Sequence, residues 1–228
     1  MSQQPKCSSA SSHSHFCDIC DVRERSICAE LNEAEMQQVA QTMAHRSIKE
    51  GASLIREGEL SDYLYLVISG CFRLVRMTED GQRQIVGFVY PGDFLGMSYA
   101  AANDFSAEAL EPSLACRFSH GFLDEMSARH PNIKNRLIAK GHTELHKAQD
   151  HIVILGKQNA EERVMTFFTM LADRGDANEI YLPMSRQDIA DYLGLRLETL
   201  SRTLAKLKKA GRLSAVEGRL VTLNRPAA

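Results

Sequence analysis

Hydrophobic and polar residues alternate over a long central part of the chain, residues 46–120. This region contains three short runs separated by Gly-containing turns: DYLYLVISGCFRLVRM, RQIVGFVY and SLACRFS. Between two of them lies EDGQ at 79–82, a segment typical of a β-hairpin turn. Many short strands joined by tight turns predict a small antiparallel barrel or jelly roll.

The pattern becomes helical on both sides of this region. Before it, a helix is predicted in LNEAEMQQVAQTMAHRSI, where Asn32 and Glu35 form a capping box. After Pro131, apolar residues recur every seven positions. So narrow a stripe favours a helix that pairs with one partner helix, although an amphipathic helix packed on its own barrel is the alternative. The predicted dimer seam consists of Ile138, Leu145, Ala148, Ile152 and Leu155.

The C-terminal part, 159–228, has the outline of a winged helix-turn-helix. A helix is predicted from a capping box at Asn159 to Gly175. Two short helices then flank a turn at Gly194, and LSAVEGRLVTL predicts a hairpin that turns at 217–218. These patterns together predict an α+β protein.

The second helix of this pair, from about Leu197 to Ala210, is amphipathic. Its polar face offers a carboxylate, a hydroxyl and a guanidinium, which can bond the edges of DNA bases. Lysines that can neutralise phosphates follow. A solvated helix with ordinary charges is the alternative, but the turn, the helix spacing and the wing agree on DNA binding. The predicted contacts are Glu198, Ser201 and Arg202 to bases, and Lys206 and Lys209 to phosphates.

Composition narrows the classes of function further. The net charge of −2 excludes a wholly basic protein but allows one local basic element. No apolar stretch approaches the roughly 18 residues of a membrane span, and residues 1–16 lack the apolar run of a secretion signal. The expected location is therefore the cytoplasm, where cysteine clusters bind metal more often than they form disulfides.

Three cysteines follow the N-terminal tail at C-x2-C-x7-C spacing, in HFCDICDVRERSIC. They make an incomplete ligand set for zinc or an iron–sulfur cluster, so a fourth ligand is required. Cys116 is one candidate, but its alternating strand equally fits a small buried hydrophobe. Cys71 is the weaker candidate. The three clustered cysteines are Cys17, Cys20 and Cys28.

A DNA-binding protein with an iron–sulfur cluster is one possible function, and two others are compatible with these residues. A structural zinc could be completed as a Cys3His site by His13 or His15, with the regulatory signal unknown. A cupin-like metal enzyme is the other, but the barrel segment has no histidine until His120. Because no Ser-His-Asp or P-loop signature is present either, catalysis is not expected.

Three segments of the chain carry a family resemblance. They are KEGASLIREGELSDYLYLVISGCFRLVRMTEDGQRQIVGFVYPGDFLG, KQNAEERV and YLGLRLETLSRTLAKL, the last with an E-x-x-S-R core. From Cys17 onward, the chain resembles FNR-type transcription regulators of the cyclic-AMP receptor protein superfamily. The resemblance implies a cyclic-nucleotide-binding-like β-barrel, a long dimerisation helix and a winged helix-turn-helix. It also implies that a homodimer reads a TTGAT-like palindrome through Glu198, Ser201 and Arg202.

The resemblance also implies a cofactor and a partner. In oxygen-sensing members three N-terminal cysteines and one barrel cysteine hold a [4Fe–4S] cluster, which here implies Cys17, Cys20, Cys28 and Cys116. Such regulators control anaerobic or microaerobic genes. An activator of this type is expected to contact RNA polymerase, with surface loops such as 78–84 as the implied contact.

Several positions depart from patterns found in the family. Arg196 stands where many relatives have a helix-capping Thr; Arg is a poor N-cap, so we expect Arg196 to reach the DNA backbone. Met97 and Phe105 replace the Glu and Arg that grip a cyclic nucleotide, so no cyclic nucleotide is expected. The seam carries no charge, with Asp150 on the outer side, which predicts a dimer that depends less on the cluster.

The expected organisation has four parts. They are a flexible tail with a cysteine loop (1–29), a β-barrel sensor domain (30–130), a dimerisation helix (131–156) and a winged helix-turn-helix domain (157–228).

Overall fold

The structure, a computed structural model, describes residues 17, 20–60, 62–97, 102–157, 159–175 and 178–224. The chain forms two compact units. The first contains residues up to Arg76 together with Phe88–Thr143, and the second contains Met77–Gly87 and the chain from Glu144 onward. The tail, with Cys7, His13 and His15, lies outside the described residues, so the zinc alternative remains a prediction.

The first unit is built on two antiparallel sheets, as the alternating pattern predicts. Their strand orders are β1–β8–β3–β6 and β2–β7–β4–β5. A core of apolar side chains from both sheets, including Phe72 and Ala115, fills the space between them; we call it the sheet core. The strands are β1 (Ala44–Ile48), β2 (Ser53–Ile55), β3 (Tyr63–Ser69), β4 (Phe72–Met77), β5 (Arg83–Val89), β6 (Phe94–Leu95), β7 (Ser106–Ala109) and β8 (Ser113–Ser119).

Helices cover the other face of the first sheet. Short 3₁₀ helices span Arg23–Arg25 and Ile27–Glu30, followed by α1 (Glu33–Thr42), α2 (His120–Arg129) and α3 (Pro131–Lys157). Their apolar side chains meet those of β3 and β8 in a second core, which we call the outer core. The Asn32–Glu35 capping box of α1 is confirmed, whereas α2 was not predicted.

The second unit contains a three-stranded sheet of order β10–β11–β9. Helix α4 packs on α6 and on the sheet, and α6 packs on α5 and β10. The predicted helix-turn-helix and wing are confirmed, but β9 was not predicted. The elements are α4 (Ala160–Gly175), β9 (Glu179–Tyr181), α5 (Arg186–Tyr192), α6 (Leu197–Lys209), β10 (Leu213–Glu217) and β11 (Leu220–Leu223).

The turn between α5 and α6 requires a glycine. Gly194 has φ +61°, in the left-handed region that a residue with a Cβ rarely adopts. A Cβ there would also lie 3.3 Å from Leu155 Cδ2. Among the described helices, none is both long and apolar enough to cross a lipid bilayer.

Candidate DNA-reading and cysteine sites

Helix α6 separates its buried and exposed residues as predicted. Leu200, Leu204 and Leu207 are buried in the second unit. Glu198 and Arg202 are exposed, and Ser201 between them is half-buried. Since positions 198 and 202 are four residues apart, both lie on one face near the N-terminal end of the helix. The three predicted base-reading side chains are therefore available together.

The flanking basic residues differ in their surroundings. Arg196 is the N-cap of α6, and no side-chain hydrogen bond caps the helix there. Its exposed guanidinium is thus available to a DNA phosphate. Lys209 is exposed in the last turn. Lys206, in contrast, forms an ion pair with Glu161 of α4, so a phosphate has to compete with this carboxylate.

The helix-turn-helix is held in place by hydrogen bonds to backbone carbonyls. Arg163 of α4 donates through Nη1 to Leu193 O at 2.9 Å and through Nη2 to Leu155 O at 2.8 Å. One side chain thus ties α4 both to the turn before α6 and to α3. On α5, Ser185 and Asp188 form a capping box that fixes its first turn.

The second unit includes Met77–Gly87, which we call the hairpin segment. Charged side chains join this segment to α5, a contact that the sequence did not predict. Arg83 Nη2 lies 2.6 Å from Asp191 Oδ2 and 3.2 Å from Asp188 Oδ1. Gln84 Nε2 also donates to Asp191 O at 2.9 Å. Because Asp188 is only 2% exposed, Arg83 compensates a carboxylate that water hardly reaches. These residues are more than a hundred positions apart, and periodicity carries no signal for such a pair.

The four predicted cysteine ligands pack in the same outer core. Cys17 and Cys28 are buried in it, and Cys20 packs against it from the loop. Cys116 joins them from β8 and is 5% exposed. On this strand Ala115 belongs to the sheet core, so the neighbouring Cys116 points to the opposite side, toward the cysteine loop. Cys71 is buried but is not among the residues of the outer core.

The thiols are electrostatically coupled. Burial raises the pKa of the Cys116 thiol, and the nearby thiols of Cys28, Cys20 and Cys17 raise it further. Burial also raises the pKa of Cys28, against the hydrogen bond from Ser26, which lowers it. Without a metal, both thiols therefore stay protonated at neutral pH and are poor nucleophiles.

The donor set fits an iron–sulfur cluster chemically. Four thiols in the outer core match the usual cysteine ligation of a [4Fe–4S] cluster. Within the described part of the chain, no group of three or more His, Cys, Asp or Glu side chains is arranged to hold a metal ion. The four cysteines are thus gathered, but not closed into a ligand shell.

The predicted dimer seam lies along an exposed stripe of α3. In its first half, Ile138 is 61% exposed, and in its second half Leu145 and Ile152 are 55% and 69% exposed. Ala148 is exposed as well. Leu155 differs, because it is half-buried beside Gly194.

Comparison with known proteins decides the family. Residues 45–130 match the family model described as a cyclic nucleotide-binding domain, and residues 162–228 match that of a Crp-like helix-turn-helix domain. The nitrogen fixation regulation protein FixK of Bradyrhizobium diazoefficiens is 36% identical over 215 residues, 92% of this chain and 91% of the relative. The chain is a CRP/FNR-family transcription regulator.

Other relatives place the regulator near the FNR and FixK types. The fumarate and nitrate reduction regulatory protein of Escherichia coli is 35% identical over 91% of the regulator and 86% of its own length. The solved structure of FixK2 from Bradyrhizobium japonicum superimposes with a TM-score of 0.76 at 34% identity, covering 80% of the regulator and 93% of that chain. The regulator is therefore a DNA-binding protein and not an enzyme.

Proposed function

We propose that the regulator senses oxygen through a [4Fe–4S] cluster and binds a TTGAT-like palindrome as a homodimer to control anaerobic or microaerobic genes. The observation that carries the proposal is the packing of four cysteines, from a loop, a turn and a strand, in one outer core. The cluster, when bound, supplies iron–sulfur chemistry that oxygen attacks. The proposed ligands are Cys17, Cys20, Cys28 and Cys116.

The chain itself connects the cysteine loop to the proposed dimerisation helix. Ser26 Oγ donates to Arg23 O at 2.8 Å and accepts from Cys28 N at 3.1 Å, which fixes the turn that carries Cys28. From α3, Arg136 Nη1 donates to Ser26 O at 3.2 Å, and Ile133 packs in the outer core. A rearrangement of the cysteine loop therefore reaches the first turns of α3 directly.

This connection supplies the coupling that a sensor requires. A signal changes DNA affinity only if it favours one conformational or oligomeric state over another. Within the first unit, the cysteine loop contacts the part of α3 that leads to Ile138, the first residue of the seam. We therefore assign the coupling to α3, whose geometry changes when the cysteine loop changes.

The dimer would present two copies of α6 to successive major grooves, about 34 Å apart. Arg202 is suited to pair with guanine, Glu198 to accept from a cytosine amine, and Ser201 to bond a base edge. Arg196 and Lys209 would neutralise phosphates, and Lys206 would do so after leaving Glu161. The relatives named for nitrogen fixation and for fumarate and nitrate reduction support control of genes used without oxygen.

Two further expectations belong to this proposal. A cyclic nucleotide is not the expected signal, because Met97 packs against the outer core and Phe105 against the sheet core. Neither side chain can pair with a phosphate. RNA polymerase is the proposed partner of the hairpin segment 78–84, where Glu79 and Asp80 are exposed.

Protein purified without oxygen tests the cofactor directly. We expect a broad visible absorption band, about four irons and matching sulfide per chain, and bleaching in air. Cys116→Ser should lose the band, whereas Cys71→Ser, a change at an equally buried cysteine outside the outer core, should keep it. A colourless, zinc-containing protein indifferent to air would remove the sensor proposal and leave DNA binding intact.

A further inference from the structure

A positively charged pocket lies beside the cysteine loop in the first unit. Its volume is about 180 Å³, which leaves room for several water molecules. The pocket is thus large enough for a phosphate or diphosphate group. Three of its lining residues are cations, and none is acidic; the lining consists of Arg25, Ser26, Ile27, Arg136, Ala139, Lys140 and Thr143.

The three cations converge because each contacts the backbone at the rim of the pocket, at Gly92 or at Ser26. Lys140 Nζ lies 3.4 Å from Gly92 O. A Cβ on Gly92 would lie 3.7 Å from Arg25 Cβ and 3.9 Å from its Nε, so the Arg25 side chain lies over this glycine. Arg136 is held next to Arg25 by its hydrogen bond to Ser26 O. Two helical segments, the 3₁₀ helix with Arg25 and α3 with Arg136 and Lys140, therefore bring positive charge to a single cavity.

Converging cations repel one another unless a negative charge joins them. Among the described residues, no carboxylate forms an ion pair with Arg25 or Lys140. An ammonium has three N–H donors and a guanidinium five, so contacts to carbonyl oxygens leave Lys140 and Arg25 able to bind a further acceptor. Ser26 and Thr143 also line the wall, and the hydroxyls of both donate to backbone carbonyls, those of Arg23 and Ala139.

The geometry points to a binding site for a phosphate-bearing small molecule, held as a di- or multiply charged anion by Arg25 and Lys140 in a pocket that Arg136 also lines. Arginine pairs bidentately with phosphate oxygens, and lysine adds a compact point charge. One wall of the pocket, Ser26–Ile27, leads directly into Cys28, and the other is α3. A bound anion would neutralise Arg25 and Lys140 and fasten the cysteine loop to α3.

Anion binding at this site gives the regulator a second regulatory signal, one that requires no iron. Because the site is made by side chains already in place, anion binding can be measured whether or not the cysteines hold a cluster. Success or failure of this proposal is therefore independent of the oxygen-sensor proposal.

Calorimetric titration of the full-length protein with sodium pyrophosphate, at constant ionic strength set with chloride, tests the site. We expect saturable binding at one site per chain. Arg25→Gln and Lys140→Gln should each weaken it about tenfold or more, as loss of one charge-assisted hydrogen bond predicts. Lys134→Gln, an exposed lysine on α3 outside the pocket, should leave the affinity unchanged.

The source of the phosphate is distinguished by titrating ADP and inorganic phosphate alongside. Equal affinity for pyrophosphate and ADP would assign the site to a diphosphate group alone, and tighter ADP binding would add contacts to the rest of a nucleotide. Absence of saturable binding, or equal weakening by Lys134→Gln, would overturn the proposal. The proposal would also be overturned if the Arg25 and Lys140 variants lost DNA affinity although the wild-type protein did not bind pyrophosphate. Thermal unfolding without ligand verifies that each variant is folded.

Discussion

At the scale of single residues, the exposed N-terminal half of α6 carries opposite charges on one face. Glu198 and Arg202 are exposed, and Ser201 lies half-buried between them. Buried leucines fix the rotation of the helix and thereby the direction in which its exposed residues point. The two lysines that follow differ in their surroundings. Lys206 is paired with Glu161, whereas Lys209 is exposed at the end of the helix.

We predict that Arg202→Gln weakens binding to the TTGAT palindrome by about 10- to 100-fold, because a bidentate contact to guanine contributes about 1–3 kcal/mol. Binding to random-sequence DNA should change little. Lys209→Gln is the control, and it should weaken both complexes alike and lower the salt dependence by about one phosphate contact. Fluorescence anisotropy at several salt concentrations measures both effects. Equal losses on both DNAs for Arg202→Gln would contradict base reading.

His151 gives the second unit a pH dependence. Its ring stacks on Tyr192 with centroids 4.0 Å apart, and its Nε2–H donates to Tyr192 O at 2.7 Å. Burial lowers the pKa of His151 below the ordinary 6.5, opposed by this hydrogen bond, which raises it. The unfolded chain therefore binds more protons than the folded chain below about pH 6.5.

The free energy of unfolding should consequently fall as the pH is lowered from 7.5 through 6.5 toward the depressed folded pKa. His151→Gln should make this decrease smaller. Urea unfolding at pH 7.5 and 5.5 measures the difference. A wild-type pH dependence retained in His151→Gln would show that another group is responsible.

At the scale of elements, the hairpin segment and α5 are joined by an ion pair in the second unit. Arg83 contacts both Asp188 and Asp191, and the first of these is nearly inaccessible to water. Backbone hydrogen bonds define the hairpin tip itself, where Thr78 N donates to Gln82 O. The position of α5 is thus set by the charge of Arg83, the first residue of β5, as well as by its own capping box.

Arg83→Gln should destabilise the protein by about 1–2 kcal/mol, because it leaves the buried Asp188 without its cation. The loss is moderated by the hydrogen bonds that Asp188 accepts from Ser185. Arg76→Gln, at an exposed arginine on β4, should change stability by less than about 0.5 kcal/mol. Denaturant unfolding checks both values, and an equal effect of the two variants would contradict a structural role for Arg83.

Elements with strong local signals could be predicted from sequence, and weakly patterned ones could not. The α1 capping box and the α5–α6 turn follow from residue type and spacing, which act locally. Helix α2 was missed because it starts with His120–Gly121, although Ser119 caps it by accepting from Phe122 N. Strand β9, three residues long, forms only by pairing with β11.

At the scale of the whole molecule, the sequence predicted three of the four clustered cysteines but could not decide the fourth. Spacing singled out Cys17, Cys20 and Cys28 but left Cys116 equally explained as a core residue. Strand register and the separation of two cores place Cys116 with the other three. The cationic pocket went unpredicted for the same reason, since Arg25 and Lys140 meet only through tertiary structure.

The uncharged, exposed seam on α3 predicts that the metal-free protein is still a dimer. Leu145→Glu should convert it to monomers, because the symmetry-related carboxylates would face each other in an apolar contact. Val153→Glu is the matched control: Val153 is 56% exposed on α3 but outside the seven-residue pattern. Analytical ultracentrifugation at micromolar concentration separates the outcomes. Wild-type monomers in the absence of metal would show that the cluster is needed for association.

If oxygen controls DNA binding through the four cysteines, the affinity for DNA must change when the protein meets air. Affinity for a TTGAT palindrome is measured on anaerobically purified protein and again on the same sample after exposure to air. We predict that air weakens binding by about tenfold or more, within the usual range of coupling between two sites. Cys116→Ser should bind weakly in both cases. An affinity that stays the same while iron is lost would contradict the account.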